Sequence, residues 1–519
     1  MTLKTIFWAT AALGAVLLAP AAKADTWYKL QSPHFIVYSN YPVVTAQPYI
    51  EKLEAYDDFL ETAFPKTIQE NSSRPPFVVY LTRNTDQLRE VEPGFLMADP
   101  AREDIASRKP CVEGQANFTY YRMAGSENLA GIITDRDAYD YSDIFYDYML
   151  DRSARMFTTI MPRWYISGLS TYPTTVKLHG KNTVFGQAPI SQYRSLTVHT
   201  WIDYRRILTD QVTPPYDNVT TASQALEHRK DLWTYQGQTW LLTHYILSSK
   251  ERLTAFAKYI DDVNAGSAPV TAFEQRFGIK VEDLQSILKK YLNGDVLSVS
   301  MTSNTATAMP SVQVTKMPDA ADKLILLRAS METCQSASFN AGLLKQIRAN
   351  AQRYPNDVFA ENALARGEIV SGDPESVKAM LETHVSQHPD DSEAQYLLGR
   401  VYYHEGAPSL AKARAAFGKA YKLNPLDAPN LYYLSLSQDT ANDTAINAAI
   451  EAATLEPAVS AYAFQAARLL ITTDDLAGAV AALAPAASEP ENGVDADKAL
   501  AIIAAIRGGK SKADILAMF

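Results

Sequence analysis

Four prolines in the last third of the 519-residue chain, Pro355, Pro389, Pro425 and Pro457, stand 34, 36 and 32 residues apart. Proline lacks the N–H a helix interior needs and clashes with the preceding turn, so each marks a helix end. A spacing in the thirties is that of helical pairs stacked side by side. The best-formed unit carries Leu398, Gly399, Tyr402, Ala413, Phe417, Ala420 and Pro425. In such a pair Gly399 and Ala420 allow close approach of the helices, Tyr402 and Phe417 fill the space between them, and Pro425 stops the second helix. The sequence therefore predicts an all-α array over 322–519, with the Ala-rich stretch from Tyr462 to Phe519 as its cap.

The unit resembles the tetratricopeptide (TPR) pattern, apart from two extra residues around Ala407 and Pro408. The resemblance implies a curved array offering one face to a protein or peptide partner. The start of the chain reads differently. Lys4, the apolar stretch Ile6 to Leu18 and the small residues Ala22-Lys23-Ala24 have the order of a cleaved export signal, which predicts a mature chain starting at Asp25 in the periplasm or outside the cell. The apolar stretch is shorter than the roughly 20 residues that span a bilayer, and no later segment is apolar enough to cross one.

His34 to Tyr38 and Phe77 to Leu81 have strand composition. Between them Ile50, Leu53, Tyr56, Leu60 and Phe64 follow helical spacing. Helical spacing returns over 138–176, 234–247, 253–260 and 281–292. The expectation is an α+β domain over 25–296, a small sheet plus helices. A Ser-, Thr- and Ala-rich stretch over 297–321 then reads as a linker. A net charge of -10 and the lack of a basic run leave no counter-surface for nucleic acid. Cys111 and Cys334 are the only cysteines; an oxidising compartment permits their pairing, and two separate buried thiols remain the alternative.

The segment from Tyr141 to Val176 resembles the paired helices of gluzincin-type (peptidase MA-like) exported metallopeptidases. Pro162, Trp164, Tyr165, Gly168, Leu169 and Tyr172 fall on the second-helix pattern, while 234–245 and 272–292 match later elements, so the likeness covers about 26–293. It implies a zincin-like fold. In that family an HExxH helix supplies two zinc-binding histidines and the glutamate that activates water, and the next helix adds a third ligand. Here the two histidine positions hold Tyr146 and Leu150, the general-base position Asp147 and the third-ligand position Ser167. This set offers no nitrogen donor, so the expectation is no catalytic residue, no metal and no cofactor. Tyr148, Trp164, Tyr165, Tyr172, Trp240 and His244 are candidates to line the vacated cleft.

His179, His199, His228 and His244 lack the pairing of a rebuilt metal site, and His384 and His388, one turn apart before Pro389, suit a helix-end role. Asp143, Asp147 and Asp151 share one helical face, read as solvated, with a cation or basic-peptide surface as the rival. Ser167 and Ser170 have no histidine near them in sequence. No phosphate-binding, dinucleotide or nucleophile-elbow motif is present. Two functions follow: an inactive peptidase-like domain joined to a binding array, or a hydrolase with rebuilt or metal-free chemistry. The sequence leaves the partner and the oligomeric state open.

Overall fold

The computed structural model describes residues 25–64, 74–83, 91, 117–120, 141–179, 182–212, 222–294, 296, 298–302, 310–333 and 337–519. Residues 1–24, read above as an export signal, and both cysteines lie outside them, as do the side chains of His179 and His228. The chain is α+β at its start and helical afterwards.

Strands β1 (Tyr28–Gln31) and β2 (Phe35–Ser39) form an antiparallel hairpin. Helix α1 (Val43–Ala63) then crosses to β3 (Phe77–Thr82), which pairs parallel with β2, and β4 (Asn117–Tyr120) pairs parallel with β3. Helices α2 (Ser142–Met156) and α3 (Arg163–Thr171) follow. Next come a hairpin of β5 (Lys177–His179) and β6 (Asn182–Phe185), and helices α4 (Ile190–Val198), α5 (Tyr204–Leu208), α6 (Ala222–Leu247), α7 (Lys250–Asn264), α8 (Pro269–Phe277) and α9 (Val281–Gly294).

The 297–321 stretch does not run as a free linker. It supplies β7 (Val299–Thr302), which pairs antiparallel with β6, and β8 (Gln313–Lys316), which pairs antiparallel with β1. Short polar strands at a sheet edge satisfy their backbone groups without an apolar face, so composition alone does not reveal them. The larger sheet has the order β4-β3-β2-β1-β8.

Both faces of that sheet are covered. Phe35, Val37 and Val79 face α1, where Ile50, Leu53, Tyr56 and Leu60 are fully buried with Ile144, Phe145 and Met149 of α2. The residues between them point the other way. Tyr38 and Tyr80 stack at 5.2 Å, and Trp27 and Tyr80 share a core with Leu324, Leu327, Leu343, Ile347 and Phe359 of the helical region. The two halves of the chain therefore have one joint core and do not fold as separate beads.

The helical region is a series of antiparallel pairs: α10 (Ala321–Ser330) with α11 (Ala337–Ala351), α12 (Val358–Ser371) with α13 (Lys378–Gln387), and α14 (Ser392–His404) with α15 (Leu410–Leu423). They continue as α16 (Ala428–Leu436) with α17 (Asp443–Leu455), α18 (Ser460–Thr472) with α19 (Leu476–Ala487), and α20 (Gly493–Arg507) with α21 (Lys512–Leu516). Pro355, Pro389 and Pro425 each stand two residues before an N-capping aspartate. Asp357, Asp391 and Asp427 accept from the backbone N–H of Ala360, Ala394 and Asn430. Stop and start signals thus recur with the same period, proline ending one pair and aspartate opening the next. Within one pair, a Cβ on Gly399 would come within 2.6 Å of the fully buried Phe417 ring, so only glycine allows this crossing of α14 and α15.

The array returns to the first domain at its far end. Arg155 donates to the carbonyls of Thr454 and Leu455, Met161 N–H to Ser488 Oγ at 2.9 Å, and Arg507 to the carbonyl of Asn264 at 2.9 Å. Arg163 pairs with Asp497 at 2.8 Å. No helix among the described residues is long and apolar enough to cross a membrane.

Candidate functional site

Helix α2 divides its side chains between two environments. One face, with Ile144, Phe145, Tyr148 and Met149, is buried against α1 and the sheet. The other carries Asp143, Tyr146, Asp147, Leu150 and Asp151 toward the end of α19. Leu150, Ser153, Ala154, Phe157 and Ile166 line one wall of a narrow crevice there, and Ala484, Pro485, Ser488 and Glu489 line the other. The groove between α2 and α3 is thus roofed by the array.

One of the four positions singled out from the sequence, Leu150, lines this crevice, and the other three lie beside it. Tyr146 is half-buried, with Ser167 of α3 and Glu491 of the array in hydrogen-bonding reach of its hydroxyl. Asp147 is half-buried beside Glu491 and Asp143. Ser167 is buried, its Oγ 3.4 Å from Thr239 Oγ1. Leu150 completes the wall. Ser170 is fully buried, and no hydrogen bond joins it or Ser167 to a histidine among the described residues.

The residues proposed to line an open cleft are core instead. Tyr148 points away from it, donating its hydroxyl to Asp57. Trp164 and Tyr165 pack on Phe256, and Trp164 also on Tyr259. Tyr172 packs on Phe185 and His244. Trp240 is fully buried against His244, whose Nδ1 lies 2.8 Å from the Tyr291 hydroxyl. Large rings at helical spacing supply the greatest apolar area, and the region between α3, α6 and α7 takes that area for packing. His384 is likewise structural: it is buried, with Nδ1 2.7 Å from Glu361 and Nε2 3.0 Å from Asp391, tying α13 to its partner α12 and to the N-cap of α14 in the next pair. His388 follows it at the helix C-cap.

The aspartate face of α2 is exposed at Asp143 and half-buried at Asp147 and Asp151. Asp151 pairs with Arg155 at 2.9 Å, while Asp147 lies beside Glu491 of the array. Burial, then Glu491 and Asp143, hold the Asp147 carboxyl well above the usual carboxylate range. Burial, then Glu491, push Glu489 up to about 8, and burial raises Glu491 against the hydrogen bond from Tyr146. Glu456, nearby on the array, is pushed up to about 8 by burial and Asp427, with Arg155 opposing. Glu491 itself is exposed on the array beside the crevice.

These shifts fix a pH dependence. A carboxyl raised in the folded state contributes stability that is fully present below its ordinary value near ~4.3 and is lost as pH rises through the raised value. The contact between α2 and the end of α19 is expected to weaken from about pH 4 to above 8. Glu489→Gln should remove part of that loss, raising the urea midpoint on the alkaline side and leaving it unchanged on the acid side. An equal change at both ends would show that Glu489 acts by packing and not by charge.

A second constellation was missed from the sequence. Asp57, fully buried on α1, binds Arg74 at 2.9 Å, Arg152 at 3.2 Å, His34 at 3.1 Å and the Tyr148 hydroxyl. His34 Nδ1 also lies 2.8 Å from Glu54. The signal was available: Glu54 and Asp57 sit beside Leu53 and Tyr56 in the apolar stripe of α1, where an acid needs a buried partner. Among the described residues no group of three His, Cys, Asp or Glu side chains is disposed to hold a metal ion. Comparisons with family models, curated proteins and solved structures find no match to this chain.

Proposed function

We propose that the chain is an exported, catalytically inactive relative of gluzincin peptidases, whose TPR-like array serves as a protein- or peptide-binding module in the periplasm. The observation that supports this reading is the chemistry at the crevice: Leu150 lines it, and Tyr146, Asp147 and Ser167 beside it offer phenol, carboxyl and hydroxyl groups with no nitrogen donor, under a roof formed by the array. Zinc needs three or four convergent N, S or O ligands, and phenol, aliphatic and hydroxyl groups are poor substitutes.

The first helices of successive pairs supply the binding face. Arg366, Arg400 and Arg468 recur at intervals of 34 and 68 residues on α12, α14 and α18. Arg366 is committed to Glu332 and Glu393, and Arg400 lies 3.9 Å over the Tyr433 ring; Arg468 donates to Gln465 Oε1 on its own helix and is exposed, with half-buried Phe464 four residues before it. Guanidinium and aromatic groups on a curved face suit extended peptides, which they hold through many modest contacts.

The test uses the full mature chain, because the shared core under the sheet makes deletion of the array a folding defect. Capture from the native envelope fraction is expected to recover a partner, and Arg468→Glu to weaken it about tenfold or more, as for an interface hot spot. The purified protein is expected to hold no stoichiometric zinc. Bound zinc, or proteolysis abolished by a chelator, would overturn the inactive reading, and capture unaffected by Arg468→Glu would move binding off this face.

A further inference from the structure

The first described residue is fastened to the array. The backbone nitrogen of Asp25 lies 3.0 Å from Asp322 Oδ1 in the first turn of α10. The Asp25 carboxylate accepts from Asn40 Nδ2 at 3.2 Å and pairs with Arg83. Two residues on, Trp27 is buried and its carbonyl accepts from Met317 N–H at 2.9 Å, continuing the β1–β8 pairing. Asp322 has 2% of its side chain exposed, and its cationic neighbour is the half-exposed Lys323, 2.9 Å from Oδ2. A buried carboxylate facing a neutral amide and a solvated lysine is incompletely compensated.

We infer that removal of the export signal after Ala24 creates a binding partner for Asp322: the freed α-ammonium of Asp25 forms a buried ion pair with it and locks the first strand to the first helix of the array. Hydrolysis of the Ala24–Asp25 peptide bond converts one amide N–H into an ammonium with three donors at the same nitrogen. The Asp322 contact thereby becomes charge-assisted, and such bonds are about twice as strong as neutral ones. The unprocessed chain has only the amide there, so completion of the joint core is coupled to export. This rests on the export reading above and is independent of what the array binds.

The experiment takes the mature protein from the envelope fraction and determines its N-terminus by intact mass. Its α-amine is then acylated with acetic anhydride near pH 7, and the N-terminal peptide is quantified against lysine peptides. A free α-amine has a pKa near ~8 and reacts before lysine. Pairing with Asp322 is expected to slow its acylation about tenfold or more relative to the same chain in urea, since each unit of pKa elevation lowers the free amine about tenfold. Asp322→Asn should restore fast labelling; if that variant does not fold, the comparison of native and urea-unfolded wild type stands alone. Equal rates in the native and unfolded chain would overturn the ion pair while leaving the export reading intact. A processed N-terminus other than Asp25 would overturn the ion pair alone, and an unprocessed chain would overturn both.

Discussion

Asp57→Ala is expected to cost about 3–5 kcal/mol of folding stability, the range for breaking a buried ion pair from one side. The reason lies in what remains. Both arginines would lose the Asp57 carboxylate, and Arg152, fully buried where Arg74 keeps 18% of its side chain exposed, has no route to water. Burial by itself would raise the Asp57 carboxyl, but Arg74, the Tyr148 hydrogen bond, His34 and Arg152 together hold it below the ordinary value. A depressed carboxyl contributes stability that is present above its unfolded pKa, near ~3.9, and is lost as pH falls through the folded value. Urea unfolding of the wild type should therefore show an acid-side loss below about pH 4 that is reduced in Asp57→Asn. His34 has the opposite sense. Its pKa is raised, chiefly by the hydrogen bond to Glu54, so its contribution is full below about 6.5 and declines as pH rises through the folded value. If Asp57→Ala and Asp57→Asn both unfold within about 0.5 kcal/mol of wild type, the network is not holding α1 to α2.

Gly168→Ala is the second large effect, expected at about 3 kcal/mol, the upper end for overpacking a filled site. A Cβ at Gly168 would fall on Thr239 O and Thr243 Oγ1 and within 2.7 Å of the Thr239 carbonyl carbon. Two of these three atoms are backbone of α6, which is anchored by fully buried Trp240, Leu241 and Leu242 and cannot swing away as a side-chain tip would. Separation of α3 from α6 would also shift Ser167 and with it the hydroxyl side of the crevice. Gly342, exposed on α11 with nothing within 4 Å of the place a methyl group would take, is the control. There alanine should stabilise by about 0.4–1 kcal/mol, through helix propensity and the entropy of the unfolded chain. Equal thermal shifts for the two substitutions would rule out the close crossing.

The resemblance to zincin helices points to Tyr146, Asp147, Leu150 and Ser167; in the fold Leu150 lines the crevice, and Tyr146 stands beside it between Ser167 and Glu491. It also points to Tyr148, Trp164, Tyr165, Tyr172, Trp240 and His244 as an open aromatic lining, and all six are core. The difference is geometric. Helical spacing states which residues share a face, but not which neighbour covers that face. Tyr146 and Tyr148 are two residues apart on α2, far enough around the helix for one to meet the array and the other to meet Asp57.

Local rules were sufficient wherever the relevant interaction lies within a few residues. Proline and capping aspartate set the helical pairs, apolar periodicity set α1, and β-branched and aromatic runs set β2 and β3, because backbone hydrogen bonding and burial period act over short range. What the chain brings together across hundreds of positions was decided by tertiary packing: the polar strands β7 and β8 joining the sheets, the far end of the array roofing the α2–α3 groove, and Asp25 meeting Asp322. Such contacts depend on how the elements close on one another, and closing long loops carries an entropy cost that only the assembled core repays.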